Sequence, residues 1–247
     1  MLNHSSAVPK YIQLAEKLEE MINNGEIKAD ERLFSENELC QKYNVSRITV
    51  RQAFRLLETK DLIYTVHGKG TFVKMPTLSQ SLPEIVTFSK MLSAKGLVGR
   101  TQIKSFHIDS ENDKAKNILG LSSADKLFNL NLLGCVETSP VALYKSYFNM
   151  ELGEKMHWIA VEMEKSGNPF TTLDLYEKTG IRLSHVEQTI TAEAPSAKLG
   201  ELLSLPHASA LVVLESIFYD TEGVAVEYKK GYYRSDIYSF KMTRKLS

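Results

Sequence analysis

Cysteine is almost absent from this 247-residue chain, which has only Cys40 and Cys135. Two thiols so far apart, with no secretory leader ahead of them, predict free cysteines in a reducing cytoplasm and exclude a disulfide-stapled scaffold. Long apolar runs are missing too. The longest, such as residues 210–214, fall well short of the roughly 20 residues of a membrane-spanning helix, so a soluble protein with no membrane partner is expected. Metal-ligand spacing is lacking: His4, His67, His107, His157, His185 and His207 stand singly, with no His-x-x-x-His or Cys-x-x-Cys pairing, and no metal is expected. Neither Gly-x-Ser-x-Gly nor Gly-x-Gly-x-x-Gly occurs, so the sequence offers no catalytic residue and no cofactor. What is present, 43% hydrophobic and 24% charged residues, excludes a disordered chain and suffices for one large or two ordinary domains.

Net charge is also missing, with 30 basic against 30 acidic residues, and a whole-chain argument for nucleic-acid binding fails there. The distribution says more. Residues 1–41 carry four bases and eight acids, whereas residues 42–74 carry Lys42, Arg47, Arg51, Arg55, Lys60, Lys69 and Lys74 against only Glu58 and Asp61. A local basic surface is hidden inside a neutral average.

That segment reads as three helices and a hairpin. After Pro9, the spacing of Ile12, Ala15, Leu18 and Ile22 predicts a helix that Gly25 ends. Ser35-Glu36-Asn37-Glu38 has the form of a capping box opening a second helix, which closes at Tyr43-Asn44. Ser46 restarts the chain as a third helix, with Val50, Ala53, Phe54 and Leu57 as its apolar stripe. Arg47, Arg51 and Arg55 project from successive turns of one face, beside Gln52. Three arginines alone would be an ordinary solvated face. A solvated face alternates sign, however, and this one meets no acid until Glu58, so the pair of helices reads as a helix-turn-helix. Apolar strands over residues 61–66 and 71–73 then flank His67-Gly68-Lys69-Gly70, a hairpin whose tip suits phosphate or minor-groove contact but lacks the frame of a P-loop.

Taken together, residues 9–74 resemble the winged helix-turn-helix of the GntR superfamily of bacterial transcription factors. The motifs that carry the likeness are Leu33-Phe34-Ser35-Glu36-Asn37-Glu38-Leu39, Ser46-Arg47-Ile48-Thr49-Val50-Arg51-Gln52-Ala53 and Gly68-Lys69-Gly70-Thr71-Phe72-Val73. The resemblance implies that the third helix enters a DNA major groove, with Arg47 and Arg51 reading bases. Ser35, Glu36, Ser46, Thr49, Gln52 and Arg55 would complete that contact, and a wing of His67, Gly68, Lys69, Gly70 and Thr71 would reach the minor groove. Phe34 departs from the family pattern, which has proline there, and predicts a local change of backbone.

Beyond a polar, proline-interrupted linker at residues 76–81 the pattern changes. A helix around Phe88 and Leu92 is followed by a strand at 100–108, a short helix capped by Ser110, and strands at 126–136 and 141–149. A helical stretch at 152–178, a strand at 181–192, a helix opened by Pro195 and strands at 210–220 and 224–233 complete it. Adjacent strands on hairpin-length turns predict an antiparallel sheet with helices, an α+β domain. Aromatic residues crowd the last strand at Tyr228, Tyr232 and Tyr233; for Tyr232 and the neighbouring lysines core and sheet-surface packing is the expectation.

Residues 82–247 resemble the UTRA effector domain of the HutC-type subfamily, which is chorismate-lyase-like in fold, most clearly at Gly223-Val224-Ala225-Val226-Glu227 and Tyr232-Tyr233-Arg234-Ser235-Asp236. The resemblance implies domains at 1–75 and 82–247 and a small-molecule effector contacted by Phe88, Ser89, Tyr144, Ser184, Glu227 and Tyr233. Leu132 and Gly134 stand where phosphosugar-sensing relatives carry an Arg-x-Arg pair, and Tyr144 replaces a pocket glutamate. Two guanidiniums hold a phosphate dianion well, so their loss predicts a neutral or less anionic effector, or a charge met by Arg100 or Arg182. The expected protein is a homodimeric, effector-responsive repressor of carbohydrate or other catabolic genes, bound to a pseudo-palindromic double-stranded DNA operator. A lyase-like enzyme fused to a DNA-binding head is the rival.

Overall fold

The computed structural model describes residues 8–75, 77–81, 85–205 and 209–243. His4 and His207 lie outside the described residues, as does Pro76 of the expected linker. By contact the chain divides into two units, Met1–Pro76 and Thr77–Ser247.

The first unit holds α1 (Lys10–Asn23), α2 (Glu36–Tyr43) and α3 (Arg47–Thr59), then the hairpin of β1 (Ile63–Val66) and β2 (Gly70–Val73). Its turns follow the side-chain chemistry. Ser35 accepts from the Glu38 amide while Glu38 accepts from the Ser35 amide at 2.7 Å, a closed capping box. Those bonds hold the Glu38 carboxyl below its ordinary pKa. Asn44 ends α2 in the left-handed conformation at φ 50, which asparagine tolerates, and Ser46 caps α3 by accepting from the Thr49 amide. Leu14, Leu18, Leu39, Val50, Ala53 and Leu57 are fully buried and form the core of this unit. β1 starts later than the sequence suggested, because Asp61 sits at φ 60 and completes the turn out of α3. A short antiparallel contribution from Arg32, opposite Phe72, widens the hairpin on its other edge.

The second unit is built on an antiparallel sheet in the order β4-β5-β6-β9-β8-β7: β4 (Gly99–Asp109), β5 (Leu127–Val136), β6 (Ser139–Asn149), β7 (Leu183–Glu193), β8 (Leu211–Asp220) and β9 (Ala225–Arg234). Its helices are α4 (Phe88–Ser93), α5 (Asp113–Ile118), α6 (Met150–Lys165), α7 (Thr172–Tyr176) and α8 (Ala197–Leu202). The antiparallel α+β architecture expected from the sequence is what forms.

Four details differ. Leu78–Ser81, inside the expected linker, is strand β3 and pairs in parallel with β10 (Tyr238–Lys241), which the sequence did not announce. The cap of α5 is Asn112 rather than Ser110, because Asp109 accepts from the amides of residues 111 and 112 and moves the helix start onward. The stretch 152–178 breaks into α6 and α7 at Gly167, whose φ of 73 turns the chain just before Pro169. Pro195 does not open α8 directly; Ser196 caps it, accepting from the Leu199 amide.

Candidate functional site

In the first unit α3 is amphipathic in the literal sense: Val50, Ala53, Phe54 and Leu57 are buried, while Arg47, Arg51, Gln52 and Arg55 are exposed. The arginines at its start are held in place from α2. Arg51 Nε donates to both carboxylate oxygens of Glu36, at 2.9 and 3.1 Å, which raises the pKa of its guanidinium. Arg47 Nη2 donates to Asn37 Oδ1 at 2.9 Å. These contacts are superficial, since the Arg51 side chain remains 64% exposed. The guanidiniums are aimed, not buried, and remain able to change partner.

Ser46 Oγ accepts from the Thr49 amide and shares a 2.9 Å hydrogen bond with Thr49 Oγ1, so this pair shapes the helix start as well as lying on its surface. Ser35 is engaged likewise in the α2 capping box. Phe34, the departure from proline, is part-buried against the core, and the Lys42 ammonium lies 4.3 Å from its ring centroid. A cation–π contact thus ties the last turn of α2 to the entering chain where a rigid proline ring is missing. Sequence reading passed over Ile48, which is 71% exposed between Arg47 and Thr49. Periodicity could have marked it, because it falls off the apolar stripe. A side chain of this kind can meet a thymine methyl in the major groove.

The wing tip turns through Gly68 at φ 75, and Gly70 lies at φ 120, conformations open to glycine. His67, Gly68 and Lys69 are exposed there. Thr71 is 9% exposed, with its hydroxyl 3.2 Å from that of Thr65, and belongs to the lining of the groove between α3 and the wing. Between α3 and the wing runs a groove of about 430 Å³ lined by Arg51, Arg55, Lys69 and also Arg32, with the carboxylates of Glu36 and Glu58 in the same lining, each held by a neighbouring side chain. This arrangement presents cations, hydroxyls and backbone amides around a cleft, which is chemistry suited to a phosphodiester backbone.

In the second unit three of the expected effector residues come together. Phe88, Tyr144 and Tyr233 line a narrow cavity of about 40 Å³ with Thr171, Gln188 and Lys229. Tyr144 and Tyr233 meet edge to face at 5.8 Å, and burial raises the pKa of both phenols. Glu227 lies fully buried beside it: its Oε1 accepts from the Thr172 hydroxyl at 2.7 Å, and the Lys229 ammonium is 3.5 Å away. Lys229 donates to Thr172 Oγ1 at 2.8 Å, and burial lowers its pKa. The sequence reading assigned Lys229, with its neighbours, to core and sheet-surface packing, and spacing alone does not mark which lysine of the strand reaches a buried carboxylate.

Ser89 is half-buried and outside the lining of that cavity. Ser184 is elsewhere: exposed on the edge strand β7, it donates to the Asp220 carbonyl at 2.6 Å and anchors the turn there. A hydroxyl satisfied locally at the sheet edge does not meet the cavity. Arg100 and Arg182 are exposed and also outside its lining. Gly134 lies outside that lining but against two of its rings, since a Cβ there would lie 3.1 Å from the Phe88 ring and 3.5 Å from that of Tyr144. Aromatic rings close on the strand position that the resemblance reserves for arginine. Among the described residues no group of three or more histidine, cysteine, aspartate or glutamate side chains could hold a metal, and no helix is long and apolar enough to cross a membrane.

Comparison with known proteins follows the same division. Residues 10–73 match the family of bacterial regulatory proteins described as gntR, and residues 94–239 match the UTRA domain. The chain is 27% identical over 240 residues to the HTH-type transcriptional repressor NagR of Bacillus subtilis, covering 97% of this chain and 96% of that one. It is 25% identical over 234 residues to the mannosyl-D-glycerate transport/metabolism system repressor MngR of Escherichia coli, covering 95% of each. The crystal structure of PhnF from Mycobacterium smegmatis has the same fold, with a TM-score of 0.63 at 20% identity over 94% of this chain and 99% of that one.

Proposed function

Since this chain belongs to the gntR family of bacterial regulatory proteins and carries a UTRA domain, we propose that it is a cytoplasmic repressor that binds a pseudo-palindromic operator as a homodimer and responds to a small effector. A gntR-family chain of this kind is a transcriptional regulator and not an enzyme. The observation that carries the rest is the exposed start of α3, where Arg47 and Arg51 are already extended and oriented by Asn37 and Glu36. Pre-oriented guanidiniums lose little conformational freedom when they meet a base edge or a phosphate. One short helix and one wing cover too little duplex for tight specific binding, whereas two half-sites read by a twofold dimer double the contacts.

The name of MngR, a repressor of a sugar-derivative transport and metabolism system, supports carbohydrate genes as the target. The closed aromatic end at Gly134 supports an effector without a phosphate dianion at that strand. The effector's leverage on the DNA-bound state is limited to its differential affinity for the two states. The test is footprinting of the full chain on the DNA upstream of its own gene, with and without a panel of neutral and phosphorylated sugars. A protected twofold site, released by one neutral sugar, is expected; no protected site at low salt would refute operator binding, and release only by a phosphorylated sugar would refute the effector class.

A further inference from the structure

The groove between α3 and the wing contains one cation from neither element. Arg32 belongs to the segment ahead of α2, which lies along β2: the Leu33 amide donates to the Thr71 carbonyl at 2.8 Å and the Val73 amide to the Glu31 carbonyl at 2.9 Å. Those backbone bonds fix Arg32 next to Gly70. Its Nε lies 2.8 Å from where a Cβ on residue 70 would stand, so the glycine leaves the space in which this side chain runs into the groove. Among the described residues no carboxylate forms an ion pair with Arg32. The nearby acids hold other hydrogen bonds, Glu36 with Arg51, Glu58 with the Thr65 hydroxyl and Glu38 with the Ser35 amide, and the Glu38 carboxylate feels the Arg32 charge from beyond ion-pair distance. Arg55 and Lys69 line the same cleft and likewise form no ion pair among the described residues, so four cations face the two lining carboxylates, Glu36 and Glu58.

The geometry points to Arg32 as a DNA-backbone ligand: the groove takes a phosphodiester strand, and Arg32 meets a phosphate from the groove floor while α3 supplies the base contacts. An unpaired, exposed guanidinium directed into a cleft between two DNA-facing elements attracts an anion, and phosphate oxygens match its forked donors. Arg32 is carried by the segment ahead of α2 and not by the helix that enters the groove, so its expected partner is the backbone and its contribution independent of sequence. The inference rests on the DNA-binding reading above, and its test separates the two.

Fluorescence anisotropy of the full chain would be recorded on two duplexes, one from its own upstream region and one of random sequence, across a range of potassium chloride. Arg32→Gln is expected to weaken binding to both duplexes by the same factor, roughly three- to tenfold, and to reduce the slope of log K against log salt by about one. Arg32→Lys keeps the charge and is expected to keep the slope, with a melting temperature like that of the unaltered chain. Arg51→Ala serves as reference and should abolish the preference between the duplexes. Should Arg32→Gln leave the slope unchanged, or weaken only one duplex, Arg32 is not a phosphate ligand. If Arg32→Lys loses the slope as fully as Arg32→Gln, the side chain acts by packing the wing and the inference is equally refuted. If the unaltered chain binds neither duplex, the DNA-binding reading fails and takes the inference with it.

Discussion

Two ion pairs in this chain have the same chemistry and opposite settings. In the first unit Arg51 meets Glu36 with side chains 64% and 34% exposed; in the second, Lys229 meets Glu227 at 10% and 0%. The exposed pair sits in water that screens it, so it contributes little to folding and its arginine exchanges partners at small cost. The buried pair has no such freedom. Removing either charge strands the other in the sheet interior, where the Thr172 hydroxyl and, for Lys229, the face of the Phe218 ring replace a full countercharge. Basic residues in the two units therefore do different work: one set is kept accessible for an external anion, the other organises an interior around a cavity.

Breaking the buried pair should produce the largest effect. Glu227→Ala leaves the Lys229 ammonium without its carboxylate and is expected to cost on the order of 3–5 kcal/mol. Urea denaturation followed by the fluorescence of Trp158, the single tryptophan, would measure it. Combining it with Lys229→Met should recover much of the loss, since replacing a whole buried pair is far cheaper than halving it. Equal losses in the single and double variants would show that the two residues are not coupled.

A smaller effect is expected where the cavity is closed by shape rather than charge. Gly134→Val would push its added methyl groups into the rings of Phe88 and Tyr144, and overpacking of this kind costs about 1–3 kcal/mol. The same denaturation experiment checks it, and an unchanged midpoint would mean that the rings swing aside freely. Such freedom would make the cavity wider in solution than its 40 Å³ and would reopen that strand to larger effectors.

The units also differ in how much of each was written in local sequence. In the first, the signals are short-range: Ser35 with Glu38, Asn44, Ser46 and Gly68 each fix backbone within a few positions, so the helices, the hairpin and the exposed arginine face are all legible. Besides Ile48, which lies off the apolar stripe, Arg32 escaped, because its place in the groove depends on pairing with a strand some forty residues later. In the second unit the strands were legible as alternating or apolar runs, but their assembly was not. The parallel pairing of Leu78–Ser81 with Tyr238–Lys241 joins four-residue strands from opposite ends of the domain, with no turn between them to announce it. The place of Ser184 beside the Asp220 carbonyl, away from the aromatic cavity, follows from the pairing of β7 with β8 and could not be read locally. Lys229 and Glu227 share one face of β9, as spacing requires, yet which face is interior depends on β6 and β8 on either side.

The smallest perturbation sharpens the exposed half of the comparison. Glu36→Gln keeps a hydrogen-bond acceptor near Arg51 but removes the charge that competes with DNA for it. The melting temperature of the chain should stay unchanged, because an exposed pair adds little to folding. Affinity for a random duplex should rise up to about fivefold, and the rise should shrink as salt is added, since a carboxylate on the binding face repels every phosphate alike. Preference for the chain's own upstream duplex should fall in step, for a guanidinium freed from Glu36 is no longer held in one orientation and binds indiscriminately. If random-duplex affinity fell instead, Glu36 would itself be making a favourable contact with DNA, for example by accepting from a cytosine amino group. The exposed carboxylate would then belong to the readout, and the freedom attributed to the surface pair would be confined to its arginine.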